Sequence, residues 1–232
     1  TDTVNIEVFL SEGNLTISQI QGTGDSSPYV GDYVTTTGII TGKNSYGFFI
    51  QDARAIRSGI WVVDFSNTNI NIGDEIEVTG EVLEFYNLTE IELLSSTILS
   101  SDNMLFEPIF IANPSEDYES VLVKIAGVCD NLPDEYGEWS LSGIKIDDYL
   151  YGANWDNQSF SPTVDSEYII TGPLYYSFNQ FKVCPRDVND IVEQLLNIGD
   201  FNEDGEVDIF DVIILINYIL NDQFYSIADL NN

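Results

Sequence analysis

Apolar and polar residues alternate in short runs through the first 190 positions of the chain, the period-2 pattern of half-buried strands. The runs are rich in Val, Ile, Thr, Tyr and Phe and are broken by clusters of Gly, Asn and Asp. They form two similar sets. The first opens after Gly22-Thr23-Gly24-Asp25-Ser26-Ser27-Pro28 and predicts strands over 33–41, 46–51, 59–63, 75–85 and 89–99. The second opens after Ala112-Asn113-Pro114-Ser115 and predicts strands over 121–128, 138–142, 144–151, 168–176 and 181–184. Each fourth strand carries one phrase, Glu77-Val78-Thr79-Gly80 or Ile169-Ile170-Thr171-Gly172, after a polar turn at Gly73-Asp74 or Asp165-Ser166. A Gly inside an otherwise strong strand marks a bend or bulge, the device by which a small barrel turns its corners. The pattern predicts a mainly β protein: an N-terminal segment (1–17), then two tandem five-stranded OB-like Greek-key barrels (18–110 and 111–190). The tail, 191–232, changes to helical spacing, with helices expected at 191–197 and 209–220.

With 232 residues, 44% of them hydrophobic, the chain can build folded cores. No apolar run approaches the length that spans a bilayer as a helix. Charge narrows the partners. Asp and Glu number 39 against 7 Lys and Arg, a net charge of −32, which repels phosphate backbones and anionic headgroups. All the cations, Lys43, Arg54, Arg57, Lys124, Lys145, Lys182 and Arg186, precede the tail. Lys43, Arg54 and Arg57 are the one hint of an anion site, at the mouth of the first barrel. The aromatics Tyr46, Phe48, Trp61, Tyr86, Trp139, Tyr149, Tyr151, Trp155 and Tyr175 could form a stacking platform, but core or inter-barrel packing is the expected use of most of them. The absence of His removes Ser–His and Cys–His catalysis, His-ligated zinc and a His general base. Cys129 and Cys184 are too few for a four-thiolate zinc site. A catalytic role is not expected of this chain.

The tail carries the chemistry. With Asp200 as loop position 1, oxygen side chains fall at positions 1, 3, 5, 9 and 12: Asp200, Asn202, Asp204, Asp208 and Asp211. Gly205 occupies position 6, where such a loop turns sharply, and Glu206 at position 7 offers its backbone carbonyl. Carboxylates converging on one point repel one another unless a cation joins them. The spacing predicts a Ca2+ site. Position 12 is Asp rather than Glu, and one full helix follows the loop.

Two resemblances follow from these residues. The phrases Gly38-Ile39-Ile40-Thr41-Gly42, Gly47-Phe48-Phe49-Ile50-Gln51-Asp52, Gly59-Ile60-Trp61-Val62-Val63 and Gly73–Gly80, with Phe181-Lys182-Val183-Cys184-Pro185-Arg186-Asp187 in the second set, resemble the OB-like modules of secreted bacterial nucleases. That resemblance implies an accessory module whose catalytic domain lies elsewhere. The loop and helix resemble a type I dockerin repeat, an EF-hand-like element. The resemblance implies a second repeat starting at Asp229-Leu230-Asn231-Asn232, either cut short here or continuing in the native protein, with Asp229 and Asn231 as candidate ligands of a second site. Cellulosomal dockerins usually carry a hydroxyl pair at loop positions 10 and 11; here those positions are Ile209 and Phe210, so a standard cohesin partner is not expected. If the chain is secreted, Cys129 and Cys184, at the ends of the second barrel's first and last strands, are candidates for a disulfide; two buried thiols are the alternative.

The expected protein is thus a secreted or cell-surface, non-catalytic, calcium-binding module serving attachment within a larger extracellular protein, by a protein partner or self-assembly through the tail. The alternatives are a subunit of an extracellular assembly or filament, and a weak nucleic-acid- or saccharide-binding OB module.

Overall fold

The computed structural model describes residues 14–65, 69–150, 160–194 and 208–220. The first helix, α1 (Ile17–Gln21), is a single capped turn: Thr16 accepts from the Gln19 N–H while the Gln19 side chain accepts from the Thr16 N–H. Then come β1 (Tyr33–Lys43), β2 (Gly47–Gln51), β3 (Gly59–Val63), β4 (Glu75–Phe85) and β5 (Leu88–Ser100). They close into a barrel in the order β1-β2-β3-β5-β4, with β3 and β5 parallel and the other pairs antiparallel. That circular order is the OB topology. Alternation sets the core: in β4 Ile76, Val78 and Val82 point inward, and Ile17 and Ile20 of α1 join the same cluster.

The second set repeats the order. β6 (Ile109–Phe110) runs parallel to β7 (Leu122–Val128), followed by β8 (Trp139–Leu141), β9 (Ile144–Ile146), β10 (Glu167–Ser177) and β11 (Gln180–Val183). β7 pairs with β10, β10 with β11, β11 in parallel with β9, and β9 with β8. Only a single bridge, Cys129 to Leu141, completes the circle where the first barrel has a full β1–β2 ladder. The likeness reaches the hairpins. Tyr86-Asn87 and Phe178-Asn179, each an aromatic followed by Asn, all lie at positive φ, as a two-residue primed turn requires.

Of the two fourth-strand glycines, Gly80 sits at the expected irregularity, while the β7–β10 register runs unbroken through Gly172. At Gly80 the β4–β5 register shifts, and a Cβ there would lie 2.2 Å from the Glu92 carbonyl oxygen. At Gly172 a Cβ would lie 2.2 Å from the Cys184 carbonyl oxygen. Close backbone crossing is what both positions share.

Two expected elements differ. Residues 191–197 were expected to be helical, but β12 (Ile191–Gln194) is a strand paired with β10. β-branched Ile191 and Val192 suit a free sheet edge, and burying Ile191 in the second core outweighs local helical spacing. The expected strand 144–151 ends at Ile146, because the Asp147 carboxylate accepts the Tyr149 N–H at 2.9 Å and turns the chain.

The two barrels belong to one compact unit, Thr1–Glu193; Gln194–Asn232 forms another. Between the barrels lies an aromatic seam of Phe49, Trp61, Leu88, Leu150 and Cys184, flanked by Tyr149 and Tyr175. The Tyr149 and Tyr175 rings stack at 4.6 Å, and Phe49 meets Trp61 at 4.5 Å.

In the tail unit, α2 (Ile209–Leu220) has the bounds expected from the sequence. It exposes Ile209, Phe210, Val212, Ile213, Ile216 and Ile219.

Candidate calcium-binding tail

Local chemistry explains where α2 begins. Asp208 Oδ1 accepts the Phe210 N–H at 2.8 Å, and Asp211 Oδ2 accepts the Asp208 N–H at 2.7 Å. The two carboxylates cap the helix reciprocally and lie where its dipole favours negative charge. Asp211 is buried and Asp208 half-buried. Loop positions 9 and 12 are thus held together at one end of one helix, as a loop wrapping a cation requires. Hard oxygen donors of this kind suit calcium. The other candidate ligands, Asp200, Asn202, Asp204 and Glu206, lie outside the described residues, as do Asp229 and Asn231.

The remaining candidates resolve toward structure. Phe48 sits in the first core and Trp139 in the second, while Trp61, Tyr149 and Tyr175 form the seam. Tyr46 and Tyr86 are exposed; Tyr151 and Trp155 lie outside the described residues. Each mouth cation reaches a protein acceptor. Lys43 donates to the Ile70 carbonyl, Arg54 to the Glu107 carbonyl at 3.0 Å, and buried Arg57 pairs with Asp117 at 2.9 Å. Lys182 is buried between Glu138 and Asp147 and serves the second barrel's interior. Burial pushes the Asp147 carboxyl up against the pull of Lys182, and the two carboxylates hold the Lys182 ammonium above its ordinary value despite burial.

The candidate disulfide does not form. Cys129 and Cys184 are both buried free thiols. Strand β10 lies between β7 and β11, so the strands whose ends carry the cysteines are not neighbours. Cys129 packs in the second core and Cys184 in the inter-barrel seam. Burial raises both thiols above their ordinary value, which makes them inert.

A cluster that sequence reasoning missed lies where α1 meets the approach to β7. Glu119 is fully buried, and its Oε1 accepts the Thr89 N–H at 3.1 Å. Burial, reinforced by Glu116 and Glu84, pushes its carboxyl up to about 8. Nearby Glu90 is pushed up to about 7, by burial and then by Glu92 and Glu84. No motif links Gln21, Glu84 and Glu119, which are far apart in the chain and meet only when it folds.

Comparison with known proteins agrees with the tail. The family model described as "Dockerin type I domain" matches residues 198–232. Dockerins of this type bind calcium, attach to protein partners of the cohesin class and occur in extracellular or cell-surface proteins. No curated protein matches the chain. Among solved structures, the hypothetical protein ygiW from E. coli is similar over 41% of this chain and 100% of its own, at 18% identity and a TM-score of 0.32. The OB assignment rests on strand order. No described helix is long and apolar enough to cross a membrane.

Proposed function

We propose that the chain is a secreted, non-catalytic attachment module, in which two OB barrels form a spacer and a dockerin-type tail docks a protein partner when calcium is bound. The observation that carries this reading is the reciprocal cap of Asp208 and Asp211 at the start of α2, within the dockerin match. Asp200, Asn202, Asp204, the Glu206 carbonyl, Asp208 and Asp211 would hold the ion. The exposed Ile209 and Phe210, at loop positions 10 and 11, favour an apolar contact in place of the hydroxyl-mediated one. The non-catalytic part of the reading draws on the lack of His and on the commitment of the mouth cations to protein acceptors. The resemblance to nuclease accessory modules suggests the kind of parent protein.

The test is a calcium titration of chelator-treated chain, followed by circular dichroism and light scattering. Calcium should raise helicity at constant monomer mass, and the paired changes Asp200→Ala and Asp204→Ala should abolish that response. Helicity indifferent to calcium would overturn the reading. A calcium-dependent rise in mass would make the tail a self-assembly device instead.

A further inference from the structure

The Glu119 cluster is unusual in its bonding. Glu119 Oε1 takes the Thr89 N–H, and the Gln21 Nε2 group approaches the same oxygen at 3.5 Å while donating to the Gly59 carbonyl at 2.9 Å. Glu84 Oε1 takes the Thr89 hydroxyl and the Ser27 N–H, each at 2.7 Å. The two carboxylates therefore grip the same residue, one at its amide and one at its hydroxyl. The second oxygen of each is buried without a hydrogen-bond partner, and so are Gln21 Oε1 and Ser120 Oγ. Those four make up all but one of the five such atoms among the described residues. Gln21, Glu119 and Ser120 are each 1% exposed or less.

Isolated buried oxygens are costly, and two carboxylates that grip the same residue add charge repulsion to that cost. Glu116 and Glu84 act on Glu119, Glu90 lies near Glu84, and Arg57, Asp25 and Asp117 surround Glu116. Arg57 does not neutralise the cluster: its guanidinium bonds Asp117 and the Gly24 carbonyl and reaches Glu116 only at 4.0 Å. Two carboxylates with an amide oxygen and a hydroxyl balance a charge of about +2 and provide only hard donors. Among the described residues no three His, Cys, Asp or Glu side chains form a metal-ligating group, so a cation here would need the neutral oxygens of Gln21 and Ser120 beside the two carboxylates.

We propose that Glu84, Glu119, Gln21 Oε1 and Ser120 Oγ bind a hard divalent cation of the calcium class, at a site separate from the tail loop. The ligands come from α1, β4 and the chain entering β7, so the ion ties the first barrel to the second. Burial and the neighbouring Glu116 and Glu84 charges raise the Glu119 carboxyl, and a cation beside it would offset that repulsion.

The test uses the full chain carrying Asp200→Ala and Asp204→Ala, which disables the tail loop and separates this site from the tail reading. Chelator-treated protein is titrated with calcium and with magnesium by calorimetry near neutral pH, and thermal melts are recorded with and without each ion. The expected result is one bound ion and a raised melting midpoint. Adding Glu119→Gln, which keeps the acceptor for Thr89, should weaken binding by about tenfold or more and remove the rise. Ser120→Ala serves as a second variant and should weaken binding by a smaller factor. Absence of binding by the loop-disabled chain would overturn the proposal, leaving a proton as the only occupant. So would a melting response that survives both variants.

Discussion

Replacing Glu119 by Gln should flatten the pH dependence of stability of the OB unit in chelator. The carboxyl is raised from its ordinary 4.5 to about 8, chiefly by burial. A group raised on folding binds protons more tightly in the native state, so its stabilising contribution is complete below about 4.5 and disappears as the pH climbs through about 8. At 1.36 kcal/mol per pH unit, the wild-type chain should lose about 4 kcal/mol from this group between pH 4.5 and pH 8. That is an upper value, because a strained carboxylate can relax toward water. Gln does not titrate, keeps an oxygen for the Thr89 N–H, and brings an NH2 group to oxygens that lack donors. The assay is urea denaturation of both proteins at several pH values from 5 to 8, in chelator, with fluorescence as the probe. The difference in stability between variant and wild type should grow with pH toward the variant. A difference that stays constant with pH would refute the reasoning, since Glu90, pushed up to about 7, titrates equally in both proteins.

Further consequences can be measured simply. In Gly59→Ala, the new Cβ would lie 2.1 Å from the Ser120 carbonyl oxygen, a backbone atom that cannot swing aside. Loss of about 2–3 kcal/mol is expected in thermal or urea melts, because overpacking separates the barrels at their junction. Cys129 and Cys184 should resist a thiol reagent in the native state, and both should label after unfolding without reductant. A protein that labels only after reduction would contain the disulfide that the strand order forbids.

Much of the architecture is legible in the chain alone. β3, β4 and α2 take their expected bounds because period-2 and period-3.6 patterns are local properties, tied to which side of an element is buried. The fourth-strand glycines are legible because only a residue without a Cβ can pass another backbone so closely. The dockerin-type match over 198–232 agrees with the loop motif, because such a motif is a matter of spacing within twelve positions.

Other features were decided only by tertiary structure. β12 is a strand because β10 offered it an edge, which no local propensity records. The cysteines stay apart because β10 separates their strands, a matter of sheet order rather than of sequence position. Trp61, Tyr149 and Tyr175 become a seam rather than a ligand platform because a second barrel covers them. The oxygens of Gln21, Glu84, Glu119 and Ser120 lie in separate segments and carry no motif. The sequence by itself determined most of the elements, the repeat and the dockerin-type spacing of the tail, since these depend on neighbours along the chain. Tertiary structure decided which side chains meet across the barrels, since burial and long-range contact exist only after the chain has closed.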